Sequence, residues 1–256
     1  MDIETLLATY PRTRAPLPPA HQAVYEREYK LNRTRASFIT KLSGALEEWM
    51  HRRIAAEAEA AGGSGGAVLE IGAGTLNHLP FEPADRARDY DVIEPFRALY
   101  EGSPWADRVR RCYADIGELP AEAAYDRIVS VAVLEHLVDL PGIVARAGLH
   151  LRARGVFQHG IPSEGGFLWG LAWRLTTGVG FRLRTGLPYG ALIRHEHVNT
   201  AKEIVRIVRH FFADVKTARF PLPLPHASFY TYLCARHPRR DRCAQYLNPV
   251  RKCVSQ

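Results

Sequence analysis

The chain has 256 residues, 46% of them apolar, with 34 basic against 27 acidic side chains and a formal charge of +7. That is enough for one α/β core with additions, and no uncharged run is long enough to span a bilayer. The charge attracts anions, but basic residues are spread along the chain, lysine is scarce, and no nucleic-acid module accompanies them, so a nucleic-acid role is set aside.

The start, Met1-Asp2-Ile3-Glu4, lacks the basic and apolar segments of a signal peptide, so the expected location is the cytoplasm. Residues 1–19 hold Pro11, Pro16, Pro18 and Pro19 and predict an irregular arm. Residues 20–61 lack proline and are rich in helix formers. Tyr25 and Tyr29, then Phe38, Leu42, Leu46 and Trp49, fall on one face of one or two amphipathic helices. Gly62-Gly63-Ser64-Gly65-Gly66 reads as a joint.

Val68-Leu69-Glu70-Ile71 then predicts a buried parallel strand breaking at Gly72-Ala73-Gly74 into a turn that a ligand can approach. A short helix interrupted by Pro80 and Pro83 is expected over 76–85. Further strands are expected at 89–94, 109–114, 125–133 and 155–162, with helical stretches at 96–100 and 141–151 between them. Residues 163–199 break this pattern, glycines alternating with Phe167, Trp169, Trp173, Phe181 and Tyr189, and read as an insertion. Thr200 caps a helix over 201–212, and two last strands are expected at 214–220 and 228–235. From Arg236 the chain reads as a basic peripheral tail. The four cysteines (Cys112, Cys234, Cys243, Cys253) form no Cys-x-x-Cys pair, so no metal site is expected from them.

A dinucleotide turn wants Gly-x-Gly-x-x-Gly, and the third position here is Asn77, which counts against NAD or FAD. Glu70, two residues before the first glycine, can instead compensate a cationic ligand group such as the ammonium of an amino acid.

With Glu70-Ile71-Gly72-Ala73-Gly74, Glu94 ending strand two, Asp115-Ile116 after strand three and Val133-Leu134-Glu135-His136-Leu137 after strand four, the chain resembles the class I S-adenosylmethionine-dependent methyltransferases. The resemblance implies a Rossmann-like α/β fold, a seven-stranded, mostly parallel sheet with the last strand antiparallel and helices on both faces. Laid on the chain, it gives an N-terminal arm and helical cover (1–61), a methyltransferase domain (62–236) with a substrate lid at 163–199, and the tail (237–256). It implies that Glu70, Gly72, Ala73 and Gly74 hold the methionine part of the cofactor and that Glu94 accepts from the ribose hydroxyls. Asp115 and Ile116 would meet adenine, and Val131, Ala132 and His136 would line the pocket. S-adenosylhomocysteine would be the product.

The acceptor is expected to be a small molecule, with a hydroxyl oxygen favoured over nitrogen or carbon, and phosphorylated, saccharide and lipid-linked acceptors all left open. Candidate bases are His195, His197 and His159. On an extended segment His195 and His197 would share one side, with Glu196 opposite. A metal-binding role for His-x-His and a purely structural one stay open beside catalysis. Trp169, Trp173, Tyr189 and Arg194 are the candidate acceptor contacts. The absence of an Asn-Pro-Pro-Tyr type sequence after strand four lowers the expectation of nucleobase or glutamine methylation. Two other readings stand behind this one: a non-catalytic binding or assembly protein of the same fold, and a dinucleotide-dependent oxidoreductase. Peripheral membrane contact and oligomeric state are left open.

Overall fold

The computed structural model describes residues 1–32, 48–56, 66–83 and 89–248, with the side chains of 26–32 left aside. Phe38, Leu42, Leu46 and Gly62–Gly65 lie outside these residues.

Seven strands form one sheet: β1 (Val68–Ile71), β2 (Tyr90–Ile93), β3 (Arg111–Tyr113), β4 (Tyr125–Val131), β5 (Leu151–Pro162), β6 (Phe212–Pro221) and β7 (Ser228–Pro238). Their order is β3-β2-β1-β4-β5-β7-β6, and β7 is antiparallel to both β5 and β6. The expected architecture is thus met, including its reversed last strand. The interior strands β1 and β2 are buried along their whole length, as apolar runs covered on both faces must be. β3, at one edge, is short and largely exposed.

One face of the sheet buries Leu69, Ile71, Ile128, Phe157 and Leu233 against the helices α1 (Ile3–Leu7), α4 (Leu140–His150), α8 (Ala201–Phe211) and α9 (Arg240–Leu247). Each such side chain, fully enclosed, contributes about 1.5–3 kcal/mol. α8 earns its place by pattern: Ile204, Val205, Val208 and Phe211 face inward, and Thr200 and Glu203 close a reciprocal capping box. The other face buries Val68, Tyr90, Val92 and Val129 with Ile54, from a helical segment over 48–56 (α3). There a buried polar network ties the connection after β1 to the sheet. Arg127 bonds Glu82 at 2.6 and 2.9 Å, Glu82 bonds His78 at 2.9 Å, and His78 meets His51 at 3.1 Å.

Three expectations change. Over the described part of the helix expected at 76–85, residues 76–83, there is a single tight turn, Leu79–Phe81, because Pro80 and Pro83 deprive a longer helix of donors. The tail is not peripheral over 240–247: α9 packs on α4, and Cys243 is fully enclosed. The insertion is helical almost throughout, as α5 (Phe167–Trp173), a π turn (Arg174–Gly178), α6 (Val179–Thr185) and α7 (Gly190–Glu196). Its glycines each cost a helix about 1 kcal/mol, offset by aromatic packing of Tyr189 with Trp173 and Phe181 at ring distances of 5.9 and 5.2 Å.

The arm is irregular beyond α1, as its prolines require, but it is tied down. Tyr10 donates to Asn199 at 2.6 Å, and Arg12 forks onto Glu203 at 2.6 and 3.2 Å. Arg14 donates to the carbonyls of His136, His195 and Glu196 at 3.0–3.1 Å. No helix among the described residues is long and apolar enough to cross a membrane.

Candidate active site

Where β1 ends, the backbone turns with φ of +69° at Gly72 and +54° at Gly74. Gly72 has a second reason to be glycine, since a Cβ there would sit 2.6 Å from Val133. The turn positions the carboxylate at the end of β2. Gly74 N–H donates to one oxygen of Glu94 at 2.9 Å and Phe96 N–H to the other at 3.0 Å. Each oxygen keeps a further lone pair, so the group is fixed yet able to accept from a ligand.

Glu94 stands on the wall of a cavity of about 640 Å³ over the C-terminal ends of β1 and β2. Gly72, Asp115, Ile116 and Val133 share that wall, and Arg14 and Tyr25 reach it from the N-terminal segment. Asp115 accepts from Gly117 N–H at 2.7 Å, beside the buried Ile116. The carboxylates of Glu94, Asp115 and Glu196 on a slot walled by Ile71, Ile93, Ile116, Val133 and Leu137 fit a nucleoside with a vicinal diol, which is what the adenosyl half of S-adenosylmethionine offers.

A second cavity of about 340 Å³ adjoins the first, the two sharing His136 and Tyr189. Trp169, Trp173, Phe229 and Tyr230 give it aromatic walls, and Glu135, His197, Thr176 and Thr177 give it polar groups. His197 donates from Nδ1 to the carboxylate of Glu164, which leaves Nε2 with the free lone pair. His136 donates from Nδ1 to the Glu196 carbonyl at 2.9 Å. Burial pushes the carboxyl of Glu135 up to about 7, against the pull of His136, and one of its oxygens has no partner among the described residues.

The predicted residues divide accordingly. Gly72, Glu94, Asp115, Ile116 and His136 come together on the larger cavity, while Trp169, Trp173, Tyr189, Ala132 and His197 come together on the smaller. Glu70 does not line either. It lies in β1 facing the other side of the sheet, accepts from the Tyr90 hydroxyl at 2.8 Å, and is pushed by burial up to about 8. Ala73 turns into the apolar cluster beneath, and Val131 packs against that cluster. Arg194 lines a separate outer cleft of about 460 Å³.

The histidine pair is split. His195 and Glu196 end α7, and His197 caps it, so the helical turn sends His195 away from His197. His195 meets the Ala15 carbonyl at 2.7 Å and packs against Tyr25. His159 is withdrawn as a base. It is wholly enclosed against Phe157, bonds Ser130 at 2.6 Å, and burial pushes it down to about 3. Glu135 and Glu164 were missed. Glu135 could have been found as the acid inside Leu134-Glu135-His136, whereas Glu164 carries no local signal. No group of three or more His, Cys, Asp or Glu able to hold a metal ion occurs among the described residues.

A family model described as a methyltransferase domain matches residues 45–210. The chain belongs to this methyltransferase family. No curated protein matches it. Among solved structures, it is similar to the magnesium protoporphyrin IX methyltransferase of Synechocystis PCC 6803, at 13% identity and a TM-score of 0.54, over 83% of this chain and 96% of that one. It is likewise similar to the 1,6-didemethyltoxoflavin-N1-methyltransferase of Burkholderia thailandensis, solved with 1,6-didemethyltoxoflavin and S-adenosylhomocysteine, at 20% identity and a TM-score of 0.53, over 87% and 92%. A third is the N-methyltransferase NodS of Bradyrhizobium japonicum WM9 in complex with S-adenosylhomocysteine, at 15% identity and a TM-score of 0.52, over 75% and 88%. These likenesses give the methyltransferase its fold: the strand order and reversed β7 are those of a Rossmann-like methyltransferase.

Proposed function

We propose that this methyltransferase moves the methyl group of S-adenosylmethionine onto a hydroxyl oxygen of a small, largely aromatic or aliphatic molecule held in the smaller cavity. The observation that carries this reading is the His197–Glu164 pair on the wall of a cavity that adjoins the adenosyl-fitting one.

Bound S-adenosylmethionine supplies an electrophilic methyl carbon on a sulfonium sulfur. Glu94 and Asp115 hold its adenosine, and the shared residues His136 and Tyr189 stand between the two compartments. The acceptor oxygen forms the new bond to carbon as the carbon–sulfur bond breaks, leaving a neutral thioether. The hydroxyl proton goes to Nε2 of His197, and Glu164 steadies the imidazolium that results. Glu135, whose carboxyl burial pushes up to about 7, stands on the same wall as a further hydrogen-bonding group for the acceptor.

The described residues that line the smaller cavity include no lysine or arginine. This supports an uncharged acceptor over a phosphorylated one, the arginines of the lid being placed elsewhere. Two of the structural relatives are N-methyltransferases by name, so a nitrogen acceptor is the competing result. Calorimetry with S-adenosylmethionine, S-adenosylhomocysteine and NAD tests the cofactor. Turnover of phenols, alcohols and amines of matching size then tests the accepting atom. Binding of NAD alone, or transfer confined to amines, would overturn the respective half of the reading.

A further inference from the structure

Along the lid, Phe167, Leu171, Leu175, Val179 and Leu183 recur at every fourth position and are all between 39% and 82% exposed. In a regular α-helix a spacing of four overshoots the turn by about 40° per step, so such a stripe would wind off its face. The π turn at Arg174–Gly178, wider than an α turn, takes back much of that drift. The inner side of the same helix is occupied, with Trp169, Trp173 and Thr176 on the acceptor cavity and Phe181 buried. The outer side is apolar and open.

Leu222 and Leu224 extend this surface. They precede Pro225, whose carbonyl lies against Gly166 at the start of α5. Seven of the ten exposed large apolar side chains among the described residues belong to these two segments, which makes the exposure a concentrated patch rather than scatter.

The charge around it is mostly of one sign. Residues 165–195 contain Arg174, Arg182, Arg184 and Arg194 and no Asp or Glu, and residues 215–240 likewise contain no acid. Glu164, which shares the outer cleft with Phe167, Arg174 and Arg194, is already bonded to His197. A second copy of the chain seated face to face on this patch would therefore set arginine mainly against arginine. An anionic lipid surface meets both features together, phosphates for the arginines and the acyl boundary for the leucines.

We propose that the 167–185 helix docks the protein on an anionic lipid bilayer, lying in the plane of the interface with its leucine stripe inward. The docking is independent of the chemistry in the cavities. It places the acceptor cavity directly behind the membrane contact, on the other side of the same helix.

The test is co-sedimentation of the full chain with vesicles of phosphatidylcholine alone and of phosphatidylcholine with about one-third phosphatidylglycerol. Partition into the anionic vesicles should exceed that into the neutral ones by about tenfold or more, and fall as salt is raised. Leu175→Asp with Leu183→Asp, and separately Arg182→Glu with Arg184→Glu, should each reduce it by about tenfold. Both pairs should leave S-adenosylhomocysteine affinity unchanged, which separates failed docking from a failed cofactor site. Equal partition into the two vesicle types, or variants that bind vesicles like the parent, would overturn the proposal. So would a dimer dissolved by Leu183→Asp in a protein that binds no vesicles.

Discussion

The rings of His136 and His197 meet edge to face with their centroids 4.8 Å apart, one wall group common to both cavities and one confined to the acceptor side. This contact stands where the two cavities meet, and with the proposed function it sets the first prediction.

His197→Ala should lower kcat by about 100-fold or more while S-adenosylhomocysteine affinity stays unchanged, because only the proton acceptor is lost. Glu164→Gln keeps the shape but not the charge behind the imidazole, and should cost about tenfold or more in kcat with KM little altered. Steady-state kinetics with calorimetry on the same preparations checks both. A loss of cofactor affinity in His197→Ala would place that residue in the wrong compartment.

Glu94→Ala removes a carboxylate already fixed by two backbone donors. Loss of one charge-assisted pair of hydrogen bonds should weaken S-adenosylhomocysteine by about tenfold to a hundredfold. Calorimetric titration reads this directly, and an unchanged affinity would show that the ribose is held elsewhere.

Gly72→Ala should destabilise the fold by at least about 1–2 kcal/mol, from positive φ alone, with the clash on Val133 added. Combining it with Val133→Ala relieves the clash and not the backbone strain, so recovery measured by urea unfolding should be partial.

Glu70 gives the stability a pH dependence of known sign. Its folded carboxyl holds the proton up to about 8, whereas an unfolded one releases it near 4.5. The folded state therefore carries an extra proton between those values. The stability is fully present below the lower value and is lost as pH rises through the upper one. Glu135 acts in the same direction up to about 7. Glu70→Gln, which cannot ionise, should gain on the parent by several degrees in Tm between about pH 5 and about pH 8.5. A constant difference across that range would rule the effect out.

Much of this site was legible because its signals are local. The Gly72–Gly74 turn and Glu94 each follow an apolar run that reads as a buried strand, Asp115 follows the short, exposed β3, and strand ends in such a sheet converge on one rim. Glu164 was not legible, since it sits among glycines 33 positions from His197 and gains its meaning only when the chain folds. His159 misled for the opposite reason. It stands at a strand end like a functional residue, but its environment is set by Phe157 and by Leu233 of the neighbouring β7. The helical lid was hidden by its glycines, and α9 by a polar sequence with few inward residues, Cys243 chief among them.

Arg12→Ala should cost about 1–3 kcal/mol in chemical denaturation, since it strips a partly buried fork from Glu203, the residue that also closes the cap of α8. Arg12→Lys keeps the charge without the fork and should recover only part of this.

That same tie spans 191 positions of the chain. The arm gains this hold only when α8 has formed, beside nearer ties from Arg12 N–H to the Val138 carbonyl and from Arg14 to the His136 carbonyl. Closing a loop of that length is slower than pairing neighbouring strands, so the wall that Arg14 and Tyr25 give the larger cavity is expected to form after the sheet.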